Sequence, residues 1–186
     1  MTGILLAGVQ SRRMGQDKAR IEVYGELLFT RSLALLLQYF PKVLIGGDRL
    51  DLARPGIQAL ADISPGSALG GLYTGLQAAH TEWIFVVPCD MPYLDGRLVE
   101  LFLAQRHGVD AVEPRTANGY EPVFVVYHRN CLPQMDEMLR NNQHRIYDFY
   151  QRIAIRYLNR QQMPDGWERA LLNLNNPEQL AMIGKG

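Results

Sequence analysis

The sequence predicts an α/β fold with a mostly parallel central sheet and helices on both faces. Three observations point there. Short apolar runs alternate with amphipathic segments along the chain. The runs are continuously apolar, as in strands buried on both faces. The loops after three of them, at Ala7, Ala61 and Val87, carry unusual chemistry where such sheets bind ligands, beyond the carboxyl ends of the strands.

In chain order, GILLA (Gly3 to Ala7) reads as a buried strand, RSLALLLQYF (Arg31 to Phe40) as a helix and KVLIG (Lys42 to Gly46) as the next strand. IQALA (Ile57 to Ala61) is a candidate third strand, followed by a helix in GLYTGLQAA (Gly71 to Ala79). WIFVV (Trp83 to Val87) is the strongest central-strand signal. Gly96 to His107 reads as a helix, VDAVE (Val109 to Glu113) as extended and EPVFVVYH (Glu121 to His128) as a strand. A helical pattern returns from Cys131 to Arg140. The tail NNPEQLAMI, from Asn175, reads as an Asn-capped helix start with Pro177 near its first turn.

At 186 residues the chain suits one domain, 1–186. Apolar residues are 47% and charged residues 20%, which argues for a globular protein over a disordered one. The formal net charge is zero, so no whole-molecule field draws in nucleic acid or anionic lipid, and an anion site must be local. No apolar run approaches the roughly 20 residues of a membrane-spanning helix. The N-terminus passes straight into a glycine loop, unlike a signal peptide. Cys89 and Cys131 are far apart and fit no CxxC pattern, which suggests a reducing, cytoplasmic setting.

The first loop, in LLAGVQSRRMGQDKA (Leu5 to Ala19), holds Gly8, Arg12, Arg13, Gly15, Asp17 and Lys18. Gly8 allows close backbone approach and Gly15 a positive φ. Backbone N–H groups of such a loop cradle phosphate, arginines fork onto it and a lysine adds a point charge. The spacing is neither a Walker A loop nor GxGxxG. On spacing alone, a surface loop with solvated charges stays open.

In VVPCDMPYL (Val86 to Leu94), Asp90 sits at the end of the best strand, bracketed by Pro88 and Pro92. A carboxylate there, opposite a phosphate loop, suits Mg²⁺, which takes few protein carboxylates and completes its shell with water and phosphate oxygens. The alternative is that Asp90 caps a turn. Cys89 reads as packing, since no histidine stands at a recognisable catalytic spacing. In ADISPGSALGGLYTGL (Ala61 to Leu76), Asp62 can accept hydrogen bonds from a base or sugar, and Gly66, Gly70 and Gly71 suit close approach of a ligand near a helix start. A turn-capping Asp62 is the alternative.

Together these stretches resemble the molybdenum cofactor guanylyltransferases, the molybdopterin-guanine dinucleotide biosynthesis protein A family. LLAGVQSRRMGQDKA is similar to that family's LAGGxSxRMGxDKA signature. The resemblance continues through DISPGSALGGLYTGL, PCDMPYL, EPVFVVYHRNCLP, NNQHRIYDFY (Asn142 to Tyr150) and LNLNNPEQL (Leu172 to Leu180). It implies a Rossmann-like nucleotidyltransferase fold and transfer of GMP from GTP to molybdenum-molybdopterin, with pyrophosphate released.

Carried onto this chain, the resemblance implies backbone contacts to GTP from Leu6, Ala7 and Gly8, phosphate neutralisation by Lys18 and a nucleotide contact from Asp62. It implies that Asp90 holds Mg²⁺ and touches the nucleotide. Asn175 is preferred over Asn176 as the active-site asparagine, and Arg145 is a weaker candidate for the pterin phosphate. Arg12 or Arg13 would join Lys18 in charge neutralisation. Transient contact with molybdoenzymes or their chaperones is a further expectation.

Two departures bear on nucleotide choice. Val9 replaces the second glycine of the signature, adding β-branched bulk beside the nucleotide. Gly46-Gly47-Asp48 stands where relatives often carry Asn after the second strand. Three alternatives remain open at this level: a CTP-dependent molybdenum cofactor cytidylyltransferase, a sugar-phosphate nucleotidyltransferase, and a lapsed relative that binds nucleotide or delivers cofactor.

Overall fold

A computed structural model describes residues 1–8, 17–116, 119–120, 123–175, 179–180 and 183. The chain runs β1 (Thr2–Leu6), β2 (Glu22–Val23), β3 (Glu26–Leu27), α1 (Leu28–Tyr39), β4 (Val43–Gly46), β5 (Gln58–Ala59), α2 (Ala68–Ala79) and β6 (Trp83–Pro88). It continues α3 (Gly96–Ala104), β7 (Ala111–Thr116), β8 (Gly119–Tyr120), β9 (Val125–His128), α4 (Leu132–Arg140), α5 (Ile146–Tyr150), β10 (Ile155–Leu158) and α6 (Trp167–Ala170).

The main sheet has the order β10-β7-β9-β6-β1-β4-β5, with β8 paired along β7. β1 pairs in parallel with β4 and β6, β4 with β5, and β7 with β10. β9 runs antiparallel between β6 and β7. The mostly parallel sheet is as expected, and its exception has a local cause. A parallel return from β7 needs a crossover of roughly a dozen or more residues, usually with a helix. Here β8 folds back on β7 as a hairpin instead, and the chain re-enters the sheet reversed.

Strand residues divide by parity between the two faces, the period-2 signature of a sheet buried on both sides. Leu5, Ile45, Phe85 and Val87 pack against Phe29, Leu33 and Leu36 of α1 and Leu98, Val99 and Phe102 of α3. Ile4, Leu44, Ile84 and Val86 pack with Leu69, Leu72 and Leu76 of α2 and Met135 and Met138 of α4. Phe85, Phe102 and Phe124 meet edge to face, with Phe124 centred 5.2 Å from each of the others.

Several boundaries move for identifiable reasons. α2 begins before Gly71 because the Ser67 hydroxyl accepts the Gly70 N–H at 3.0 Å, an N-cap three residues upstream. The third strand shrinks to Gln58–Ala59 at the sheet edge. Tyr24 and Gly25 both have positive φ and form the turn of the small β2–β3 hairpin. In the tail, Gln179, Leu180 and Ile183 are helical, while Asn176 and Pro177 lie outside the described residues. Among the described residues no helix is long and apolar enough to cross a membrane.

Candidate functional site

The register gathers three loops at one edge of the sheet. Leu6 lies between Gly46 of β4 and Pro88 of β6, so the residues just beyond all three emerge side by side. The Leu6 carbonyl accepts the Cys89 N–H at 2.9 Å, and the Ala7 N–H donates to the Gly46 carbonyl at 3.0 Å. These bonds extend the sheet by one residue on either side of β1. They turn those particular backbone groups of Leu6 and Ala7 inward rather than toward a ligand.

Gly8 approaches its neighbour too closely for any side chain. A Cβ there would overlap the carbonyl of Gly47, and a Cβ on Gly47 would overlap the Gly8 nitrogen. Gly47 also has φ +92°. The Gly46-Gly47 pair therefore packs the exit of β4 against the exit of β1. The Gly47 N–H donates to Asp62 Oδ1 at 3.2 Å, which brings the third loop into the same edge. Burial raises the Asp62 pKa, and the nearby Asp48 charge adds to the rise, against the lowering effect of that N–H. Gly70 has an internal reason of its own: its Cα faces the Ser64 carbonyl, where a Cβ would clash.

Lys18 opens a 3₁₀ turn, Lys18–Arg20, whose N-cap Asp17 accepts the Ala19 N–H at 3.1 Å. The lysine is only 6% exposed. Its Nζ donates to Asp90 Oδ2 at 2.5 Å and to Asn175 Oδ1 at 2.9 Å. The Asp90 carbonyl accepts the Leu174 N–H at 2.9 Å, and the Asn175 N–H donates to Gln179 Oε1 at 2.7 Å. The C-terminal segment is thus tied directly to the loop after β6. Residues from two distant parts of the sequence hold the Lys18 ammonium group.

Asp90 Oδ1 is buried without a hydrogen-bond partner among the described residues. Such an atom is costly unless something else takes up its charge. One carboxylate oxygen of this kind fits Mg²⁺, which needs few protein ligands. Among the described residues there is no group of three or more His, Cys, Asp or Glu side chains that could hold a metal ion. Cys89 is buried next door, and burial pushes its thiol up to about 12, which suits packing and not nucleophilic attack.

The residues alone gave no signal for Arg49. It follows β4 and is mostly buried, with 14% of its side chain exposed. It donates to both carboxylate oxygens of Asp17 at 2.9 and 2.7 Å, to both of Asp51 at 2.8 and 2.9 Å, and to the Ala7 carbonyl at 3.2 Å. Hydrogen bonds with Asp51 and then Asp17 hold its pKa above the ordinary range, and Arg49 in turn holds Asp51 below its own. In the sequence it looks like one more solvated charge in a loop.

Lys18, Asp90 and Asn175 come together through hydrogen bonds, and Gly8, Gly47 and Asp62 form a second group at the exits of β1 and β4. Arg145 does not join them: it is exposed at the N-cap of α5 and makes no hydrogen bond or ion pair with these residues. Val9, Arg12, Arg13 and Gly15 lie outside the described residues.

The glycine turn, the lysine–aspartate pair and the second carboxylate lie beyond the carboxyl ends of the strands, where such sheets bind ligands, and the class of protein is that of the nucleotidyltransferases. The family described as "MobA-like NTP transferase domain" matches residues 3–157, and the chain belongs to it. It is 34% identical over 183 residues to a protein of Pelotomaculum thermopropionicum named "Probable molybdenum cofactor guanylyltransferase", covering 96% of this chain and 89% of that one. A Vibrio atlanticus protein named "Molybdenum cofactor guanylyltransferase" is 31% identical over 186 residues, covering 97% of this chain and 94% of the relative. The crystal structure of molybdopterin-guanine dinucleotide biosynthesis protein A from Archaeoglobus fulgidus superposes with a TM-score of 0.85 at 18% identity, covering 100% and 97% of the two chains. At that identity the superposition speaks for the fold.

Proposed function

We propose that this nucleotidyltransferase transfers GMP from GTP to molybdenum-molybdopterin, releasing pyrophosphate. The observation that carries the proposal is the Lys18 ammonium held between Asp90 and Asn175 at the carboxyl edge of β1 and β6. The names of the 31–34% identical relatives supply the substrate class.

An oxygen of the pterin phosphate monoester attacks the α-phosphorus of GTP. A new P–O bond forms, the bond from the α-phosphorus to the α–β bridging oxygen breaks, and pyrophosphate leaves with that electron pair. The monoester is already ionised at neutral pH, so no general base is needed. The protein's task is positioning and charge neutralisation. Lys18, held at Asp90 and Asn175, neutralises phosphate charge, with Arg12 or Arg13 as further cations. Asp90 and Asn175 orient the reacting end, and Asp62 contacts the nucleoside. Asp90 would hold Mg²⁺, which would supply further neutralisation of phosphate charge. Arg145 is a weaker candidate contact for the pterin phosphate. Two buried free cysteines support a reducing, cytoplasmic setting.

The test is direct. The protein is incubated with molybdenum-loaded molybdopterin, Mg²⁺ and either GTP or CTP, and dinucleotide product and pyrophosphate are measured. GTP-dependent product is expected. A preference for CTP overturns the choice of base, and nucleotide binding without turnover overturns the enzymatic reading.

A further inference from the structure

We infer that Arg49 is a positioning residue for the nucleotide loop, clasping the loop's two ends so that Lys18 is aimed before substrate arrives. The inference rests on the nucleotide-binding reading of the edge formed by Gly8, Lys18 and Asp90. The exit of β4 explains how the arginine gets there. Gly47 and Asp48 take φ values of +92° and +58° in succession. Two left-handed residues in a row reverse the chain sharply, and only glycine and short polar residues tolerate this at low cost. The turn carries Arg49 back over the end of β1.

From there a single guanidinium reaches both flanks of the loop. It donates to the carbonyl of Ala7, the residue before Gly8, and to both oxygens of Asp17, the residue before Lys18. Asp17 is also the cap of the turn that begins at Lys18. The direction of Lys18 is therefore set by a chain of contacts running Arg49, Asp17, Ala19 N–H. Asp51 braces the guanidinium through two further bonds. A planar fork with several donors can do this; the point charge of lysine cannot.

The experiment compares wild type, Arg49→Lys, Asp17→Asn and the double variant in GTP binding and in steady-state turnover. Arg49→Lys is expected to raise the GTP KM about tenfold, the size of an ordinary contact-level coupling, while kcat changes far less. A purely structural role would lower the active fraction, and so kcat, without moving KM. The double variant is expected to be no worse than the poorer single, because both break one clasp. Hydrogen exchange at the Ala19 and Arg20 amides, read without nucleotide, is expected to quicken in Arg49→Lys and Asp17→Asn alike.

Wild-type GTP binding in Arg49→Lys, or additive losses in the double variant, overturns the inference. If Arg49→Lys does not fold, Asp17→Asn with unchanged KM and unchanged exchange overturns it equally. A wild type that binds no nucleotide overturns the underlying reading, and the exchange comparison then decides the clasp by itself.

Discussion

Lys18 Nζ lies 2.5 Å from Asp90 Oδ2, across 72 positions of sequence. The protein thus holds its own cation on one oxygen of the carboxylate, while the other oxygen is buried without a hydrogen-bond partner among the described residues. Each member of the pair can be removed with a different consequence.

Asp90→Asn retains the size of the side chain and removes its charge. Turnover is expected to fall by at least about 100-fold, the scale of losing a group that organises transition-state charge. Circular dichroism and melting should show an intact fold, since the amide oxygen still accepts from Lys18. Full activity would refute the assignment of Asp90 to metal and nucleotide.

Lys18→Met leaves the Asp90 carboxylate uncompensated in a site where its side chain is 13% exposed. Breaking a largely buried pair from one side should cost about 3 kcal/mol, read by denaturant unfolding. Millimolar Mg²⁺ or Mn²⁺ should then raise the melting temperature of Lys18→Met more than that of wild type, because Asp90 Oδ2 is released beside an Oδ1 that already lacks a hydrogen-bond partner among the described residues. Equal shifts in the two proteins would mean that the metal does not bind at Asp90.

Gly47→Ala combines a positive φ with overlap against the Gly8 nitrogen. A loss of about 2 kcal/mol or more is expected on unfolding. Gly8→Ala, which meets the same contact from the other side, should add little on top of it. Additive losses would show that the two glycines serve separate needs.

Asp62→Asn tests the electrostatics of the third loop. Its folded pKa is raised above the unfolded value, chiefly by burial, so folding takes up a proton in the window between the two. The charged form therefore costs stability above that window, and wild type loses stability as pH rises through it. Asn keeps an acceptor for the Gly47 N–H without the charge. The variant should be more stable than wild type at neutral pH, and the difference should close once pH falls below roughly 4, the ordinary aspartate range. A constant gap across pH would place the effect in packing instead.

Much of the sheet is legible in the sequence because strands buried on both faces must be continuously apolar: Ile4-Leu5, Leu44-Ile45 and Ile84 to Val87 announce themselves. The glycine loop and Asp90 are legible because each directly follows such a run, and Lys18 and Asp62 because they are charged residues in loops beyond apolar segments. β10 escapes notice because this edge strand carries Arg156 and fully buries Leu158 alone of its four residues. α5 and α6, of five and four residues, are too short to establish a periodicity. Asn175 is legible only through the resemblance, because nothing local to NNPEQL points at a lysine 157 positions away.

By itself, then, the sequence determined a parallel-rich α/β sheet, the loops that would bear the chemistry, and the charged and glycine residues within them. These follow from local rules: side-chain periodicity, the backbone freedom of glycine and the placement of loops after buried strands. The tertiary structure decided what those residues do to one another. It reversed β9, seated Lys18 between Asp90 and Asn175, pressed Gly8 onto Gly47 and turned Arg49 from an apparent surface charge into a clasp on Ala7 and Asp17. The physical reason is that strand register, and not spacing along the chain, sets which loop ends are neighbours, and the energy of a charge depends on those neighbours.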